Sequence, residues 1–141
     1  MESNDKTERF VTFALGGMTF EYDALKNQKN IEKHGISFKS AARVFWDYDR
    51  IEFYDEENSM VEDRYDTIGD LSAGTARLSA VKGETTIGSV SNGLNGKEDV
   101  LFVVYTERVR VGGDEMKKDI TRLISARYAT NFERGLYYGK Y

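Results

Sequence analysis

The sequence has no cysteine and no proline among its 141 residues, and it has a single histidine, His34. Without cysteine the chain forms no disulfide and no thiolate metal site, and one histidine excludes a metal site built from several imidazoles. Without proline, turns depend on glycine, asparagine, aspartate and serine. We therefore expect neither a metal centre nor another cofactor.

Long hydrophobic segments are also missing. No run approaches the ~20 apolar residues of a membrane-spanning helix, and no basic-then-apolar segment resembles a secretion signal. The hydrophobic fraction of 40% and the aromatic fraction of 13% are typical of a globular fold. We therefore expect a single cytoplasmic domain over residues 1–141, without membrane contact.

The formal net charge of −4 conceals segments of opposite sign. Residues 24–46 carry five basic groups and one acidic group, and residues 100–141 carry eight basic and five acidic groups. Residues 47–66 carry two basic and nine acidic groups. A polyanion would therefore contact the two basic segments, whereas the acidic segment suits a cationic partner or simple solubility.

The longest apolar run, Val100–Arg108, predicts a strand at the centre of a sheet, because alternation puts apolar side chains on both of its faces. Its polar end can line a site or merely solvate the exit of the strand. Other segments with β-propensity are residues 9–15 and 18–22 (a hairpin or one broken strand), 51–54, 64–69 and 119–126. Residues 1–18 are read as an N-terminal extension, and residues 71–99 as a long hairpin or an insertion.

Capping residues mark two helices in the N-terminal half. Asp23 is a good N-cap for a helix over Ala24–His34, which Gly35 ends. Leu25 and Ile31 are its main apolar anchors. Ser37 caps a second helix, whose apolar residues recur at i, i+3, i+4 and i+7: Phe38, Ala41, Ala42 and Phe45.

A capping box, Thr130-Asn131-Phe132-Glu133, opens a third helix near the C-terminus. Strands joined by short connections, with helices gathered at the front, predict an α+β fold. We expect a mainly antiparallel sheet with two N-terminal helices and one C-terminal helix.

Several motifs together resemble those of a known family. They are Phe20-Glu21-Tyr22-Asp23, Lys33-His34-Gly35-Ile36-Ser37-Phe38, Arg64-Tyr65, Ile68-Gly69, Leu101-Phe102-Val103-Val104-Tyr105-Thr106 and Arg122-Leu123-Ile124-Ser125-Ala126-Arg127. Their joint spacing, over roughly residues 20–70 and 100–138, resembles that of the BrnT-type toxins.

The resemblance implies a RelE-like fold and the activity of a ribonuclease toxin of a bacterial type II toxin–antitoxin pair. It also implies a tight complex with a BrnA-type antitoxin. In such pairs the antitoxin usually carries the DNA-binding domain, so operator DNA would be contacted only indirectly, through the antitoxin.

Metal-free RNA cleavage needs an aligned 2′-hydroxyl, a base, an acid and cations for the phosphorane. Arginine suits the last role because its planar fork pairs with two phosphate oxygens. Arg64, Arg108 and Arg127 are candidate catalytic residues and Arg122 a phosphate-binding one, since each lies on or beside a predicted strand. Some of these guanidinium groups can converge on one face if those strands are neighbours. Ion pairs with the many acidic residues are the alternative.

His34 is the fourth catalytic candidate, because imidazole is the side chain that ordinarily exchanges protons near neutrality. Its place at a helix end also explains it as a partner of the last carbonyls. Lys26 and Lys33 face phosphate or solvent, and Thr106 and Ser125 orient a phosphate or satisfy backbone groups.

Two other classes of function stay open. A non-catalytic relic of a toxin would only bind an antitoxin-like partner, which the net acidity and the long segment 71–99 favour. A metal-dependent hydrolase would use Asp55-Glu56-Glu57, although consecutive acids on a loop are usually solvated and no histidine supports them.

Overall fold

The computed structural model describes residues 9–81, 99–114 and 116–139. Residues 10–15 and 18 of the predicted extension 1–18 belong to β1 and β2, whereas residues 1–8 lie outside the described residues, as do residues 82–98 of the predicted hairpin or insertion. In chain order the elements are β1 Phe10–Leu15, β2 Met18–Asp23, α1 Ala24–His34, α2 Phe38–Ala41, a 3₁₀ helix Ala42–Trp46, β3 Ile51–Tyr54, β4 Tyr65–Asp70, α3 Leu71–Val81, β5 Val100–Val111, β6 Lys117–Tyr128 and α4 Asn131–Tyr137.

The six described strands form one sheet in the order β1-β2-β6-β5-β4-β3. The α+β class is confirmed, and β4, β5 and β6 are neighbours. The sheet is mixed, however, because β2 and β6 run parallel while the other four pairs are antiparallel. The sheet is therefore mainly antiparallel, as expected, but it is mixed because of the parallel pair β2–β6.

The N-terminal segments form the hairpin rather than one broken strand. Leu15 pairs with Met18 across a turn in which Gly16 and Gly17 have φ angles of 59° and 90°. Both angles lie in the left-handed region that favours glycine. A side chain at Gly16 would also overlap the indole of Trp46, so this turn is fitted against the 3₁₀ helix.

The predicted helix caps are confirmed. The Asp23 carboxylate accepts hydrogen bonds from the backbone of Leu25 and Lys26 at 2.9 and 3.3 Å, and Gly35 ends α1 with φ at 75°. Ser37 accepts from the backbone of Ser40 at 3.1 Å. The capping box of α4 is also present. Local hydrogen bonding therefore determines where these helices begin.

Two layers enclose the main core. Apolar residues of α2 and the 3₁₀ helix pack on one face of the sheet, called here the helix face. Its largest fully buried members include Phe20, Phe38, Val44, Leu101 and Val103. None of the helices in the described ranges combines the length and the apolar character needed to cross a bilayer.

Helix α1 is attached to the sheet by a polar contact, not by the apolar anchors expected. Leu25 and Ile31 are largely exposed, whereas Asn30 is buried. The Asn30 amide donates to the Ala126 carbonyl at 2.8 Å and accepts from the Ala126 N–H at 3.2 Å. It therefore replaces the strand neighbour that β6 lacks beyond its short pairing with β2.

Helix α3 lies at the start of residues 71–99, which were predicted as a long hairpin or an insertion, and it is a helix beyond the expected two N-terminal helices and one C-terminal helix. It packs its buried Leu78 on the helix-face side and lies directly against the 3₁₀ helix. A Cβ at Gly74 would overlap the carbonyl oxygen of Arg43, so the two backbones meet where a side chain is missing. Close packing thus stabilises a helix whose own sequence favours it weakly.

Replacement of Gly74 by alanine is expected to destabilise the protein by about 1–3 kcal/mol, because the new methyl group has no room beside the Arg43 carbonyl. In an open helix the same change stabilises by about 1 kcal/mol, so the sign of the change is informative. Urea unfolding measures it. Gly113→Ala is the control, since nothing lies within 4 Å of its added Cβ, and equal stability of the two variants would contradict the packing account.

Candidate functional site

The second face of the sheet, called here the open face, carries most of the polar strand residues. Strand register places Glu21 beside Arg122 and Arg122 beside Thr106. Asp66 lies opposite Val104, on the same face. Because alternate residues of a strand share a face, Arg108 and Arg110 follow Thr106 on this side. Two adjacent strands, β5 and β6, therefore present arginines to this surface.

Glu21 is fully buried at the middle of this surface. Its carboxylate accepts from Nε of Arg122 and from Nη2 of Arg110, each at 2.6 Å, and Nε of Arg108 lies 4.0 Å away. A buried carboxylate is costly unless it is paired and hydrogen-bonded. The three guanidinium groups supply that neutralisation, and in return Glu21 fixes their positions.

Glu62, in the loop before β4, joins a second pair of arginines. Its two carboxylate oxygens lie 3.2 Å from Nη2 of Arg108 and 3.7 Å from Nη2 of Arg64. The side chain of Glu62 is one third exposed, at 32%. Arg64, which immediately precedes β4, and Arg108 of β5 are therefore brought together at one carboxylate, and Arg108 links this pair to Glu21.

Two carboxyl groups, those of Asp55 and Asp66, lie next to this arginine cluster and hydrogen-bond to each other. Burial raises the pKa of Asp66 to about 7, and the neighbouring charge of Asp55 adds to the shift. The Asn58 amide, donating at 3.0 and 3.2 Å, lowers the pKa of Asp55. Because the two pKa values are shifted in opposite directions, the shared proton resides on Asp66, which can exchange it near neutrality.

Arg127 lies on the same face but in a different setting. It pairs with both oxygens of Glu133 at 2.8 and 3.0 Å, and its guanidinium stacks 4.3 Å from the ring centroid of Phe102. The Glu133 carboxylate raises the pKa of Arg127. The positive charge of Arg127 also acts on Asp66, where it lowers the pKa and so partly offsets the rise caused by burial. Helix α4 thus borders the open face with a bidentate ion pair.

Helix α4 is held in this place by Asp47, which follows the 3₁₀ helix. The buried Asp47 carboxylate accepts from the Tyr137 hydroxyl at 2.5 Å and from the Asp70 backbone at 2.7 Å. Burial raises the pKa of the Tyr137 hydroxyl, and its hydrogen bond to Asp47 raises this pKa further. A small apolar cluster under α4, centred on Ile68 and Val100, completes the border.

The helix-borne candidates lie apart from this cluster. His34 is half-buried at the last turn of α1, which packs at the β6 edge near Ala126. Lys26 and Lys33 are exposed on the same helix. Within the described ranges, the side chains of these three residues form no hydrogen bond or ion pair with the arginines of the open face.

Thr106 and Ser125 also differ from each other. The buried Thr106 hydroxyl donates to the Asp63 carbonyl at 2.6 Å, so its proton is engaged in holding the loop that carries Glu62. Ser125 is half-exposed beside the register shift between Val104 and Tyr105. Ser125 therefore retains the better access to a ligand on this face.

Sequence reasoning missed the carboxylates that organise the site: Glu21, Glu62 and Asp66. Their positions on alternating or loop segments are typical of solvated acids. The available signal was the number of arginines at alternate positions of Val100–Val111, which leaves buried guanidinium edges in need of acceptors. Among the described residues, no three acidic or histidine side chains are arranged to hold a metal ion.

Residues 22–82 match the family described as the ribonuclease toxin, BrnT, of type II toxin–antitoxin systems. The match confirms the BrnT-type resemblance for the N-terminal half of the chain. It also includes α3, which the sequence motifs did not cover, while the motifs after residue 100 lie outside it. No curated protein matches the chain.

Replacement of Glu21 by glutamine is expected to lower the free energy of unfolding by roughly 2–4 kcal/mol, because Arg122 and Arg110 lose a buried counter-charge. Chemical denaturation followed by circular dichroism measures the loss. Glu32→Gln on the exposed side of α1 is the charge-matched control and is expected to change stability by less than about 0.5 kcal/mol. A Glu21→Gln loss no larger than the control would refute the role given to this carboxylate.

Asp66 is expected to make stability depend on pH. Its pKa is raised from 3.8 to about 7, so the folded state binds the proton more tightly than the unfolded state does. The stabilisation is complete below pH 3.8 and is lost as the pH rises through about 7. Relative to Asp66→Asn, the wild type should lose stability between these values and level off above them, in urea titrations at several pH values. Parallel curves for the two proteins would show that Asp66 ionises normally.

Proposed function

We propose that this chain, whose residues 22–82 match the BrnT ribonuclease toxins, is a metal-independent endoribonuclease toxin of a bacterial type II toxin–antitoxin system, with a RelE-like fold. The observation that carries the proposal is the gathering of Arg64, Arg108 and Arg122 on one open face, beside a carboxyl group that titrates near pH 7. RNA would lie across this face.

The arginines have the chemistry that RNA cleavage requires. Attack of a 2′-hydroxyl on the adjacent phosphorus builds negative charge on the equatorial oxygens, which planar guanidinium groups neutralise through paired N–H bonds. Arg64 and Arg108, both about one-third exposed, are placed to bind the scissile phosphate. Arg122 and Arg127 bind flanking phosphates, with Ser125 as a further donor. The buried Glu21 keeps the cluster ordered before substrate arrives.

Asp66 is the proposed general base. With a pKa of about 7 it is partly ionised at neutral pH and can take the proton of the 2′-hydroxyl. Arg127, whose charge already acts on Asp66, stabilises the ionised form. The leaving 5′-oxygen then needs an acid, for which His34 is the remaining candidate, supported by its chemistry rather than by a contact. Lys26 and Lys33 extend the basic surface along α1.

The proposed partner is a BrnA-type antitoxin that neutralises the toxin in the cytoplasm and carries the DNA-binding domain, so that operator DNA is reached only through the complex. Neutralisation is explained most simply if the antitoxin covers the arginines of the open face. The second candidate function, a relic that only binds such a partner, is favoured by the carboxylates already paired with each arginine.

Purified protein, freed of any antitoxin, is expected to cleave RNA in the presence of EDTA and to leave 2′,3′-cyclic phosphate ends. Arg64→Ala should lower the rate by about 10²–10³-fold, as loss of one oxyanion donor does. Arg43→Gln is the control, because Arg43 is exposed on the helix-face side and its guanidinium donates to the Thr75 hydroxyl at a long 3.5 Å. Electrophoresis of a labelled oligoribonucleotide measures both.

Two further variants assign the proton transfers. Asp66→Asn should remove the rise in rate through pH 7, whereas His34→Gln should leave that rise in place. Intact RNA after incubation with well-folded wild-type protein would overturn the nuclease proposal. The same result together with tight binding of an antitoxin would support the relic instead.

A further inference from the structure

Arg64 and Arg108 each present an N–H group that has no acceptor. The Nε atoms of both side chains are buried, and neither meets a hydrogen-bond partner in the described part of the chain. For Arg108 the nearest charged oxygen is that of Glu21 at 4.0 Å, which is beyond hydrogen-bond range. Buried donors of this kind are uncommon and need a physical explanation.

Each unpaired Nε–H group lies on the edge of its guanidinium that also carries Nη2. On that edge the Nε–H and Nη2–H bonds run parallel, which is the arrangement that grips two oxygens of a phosphate or a carboxylate. Glu62 contacts each arginine only at Nη2, at 3.2 Å for Arg108 and 3.7 Å for Arg64. One carboxylate with two oxygens therefore serves two edges that together offer four donors.

We propose that these two edges form a binding site for one phosphodiester group of RNA, and that Glu62 occupies it in the free protein as a competing anion. The inference deepens the proposed function, on which the identity of the ligand rests. A phosphate group has oxygens for both edges and would satisfy the two Nε–H groups that Glu62 leaves unpaired. Glu62, one third exposed and on a loop, is the part that moves away.

The charges around the site agree with a competing role for Glu62. Glu21 is also an anion near Arg108, but it is fully buried and bound by Arg110 and Arg122 at 2.6 Å, so it stays in place. Asp66 carries its proton below about pH 7 and then adds no repulsion. Glu62 is thus the anion whose removal frees the Nε–Nη2 edges without disturbing the buried pairs.

The test measures binding of a short 2′-deoxyoligonucleotide, which cannot be cleaved through a 2′-hydroxyl, to the full chain. Glu62→Gln and Glu62→Ala are expected to bind it about fivefold more tightly than the wild type, the gain of removing one partly exposed ion pair. Glu57→Gln, in the same loop and with the same change of net charge, is expected to gain less than about twofold. In an Arg108→Gln background the gain from Glu62→Gln should be smaller, because Glu62 then competes only for Arg64.

A second measurement uses the unmodified protein. The Nε–H resonances of Arg64 and Arg108 should move downfield in ¹H–¹⁵N spectra as the oligonucleotide is added, because both protons gain an acceptor. The Nε–H of Arg122, already bound to Glu21 at 2.6 Å, should stay in place. Equal gains for the Glu62 and Glu57 variants, weaker binding by Glu62→Gln, or unmoved Arg64 and Arg108 resonances would each overturn the inference.

Cleavage assays on the same proteins separate this inference from the proposed function. If the wild type cleaves RNA but the Glu62 variants bind the oligonucleotide no more tightly, the nuclease proposal stands and the competing role of Glu62 is refuted. Tighter oligonucleotide binding by those variants, with no cleavage of RNA by any protein, leaves the phosphate site and removes the nuclease.

Discussion

The neutralisation of one buried carboxylate is the constraint on which the open face depends. Glu21 has no exposed surface, so its charge has to be balanced by protein groups, and in the described part of the chain guanidinium groups from β5 and β6 balance it. The arginines neutralise Glu21, and Glu21 in turn holds the arginines in place, so they lose little conformational freedom when a ligand binds. Preorganised cations of this kind are what stabilisation of a phosphorane requires.

The same arrangement carries a cost in affinity. Each arginine of the face has a carboxylate partner, so an incoming phosphate replaces an existing ion pair instead of filling open space. The partners differ in how firmly they are held: Glu21 is enclosed, Glu133 is part of a capping box, and Glu62 lies on a loop. If RNA binds here as proposed, a polyanion is favoured over a single small anion, since a ligand with several charges can displace more than one of these carboxylates.

Local signals in the sequence predicted the helix ends, whereas contacts between distant residues left no such signal. Asp23, Gly35 and Thr130 mark helix ends because a cap is a contact between residues a few positions apart. Some of Arg64, Arg108, Arg122 and Arg127 were predicted to converge if their strands are neighbours, because those strands could be recognised from β-propensity. Glu21 and its arginines are about a hundred residues apart, and helix α3 depends on a backbone contact at Gly74, so neither leaves a local pattern.

The parallel junction of β2 with β6 has a consequence for the order of folding. Only two registered pairs, Phe20 with Thr121 and Glu21 with Arg122, join the N-terminal hairpin to the rest of the sheet. During synthesis the hairpin and α1 emerge long before β6. Glu21 therefore has no guanidinium partners until β5 and β6 have been synthesised. Contacts of such high sequence separation slow folding, and they delay completion of the arginine surface until β6 has left the ribosome.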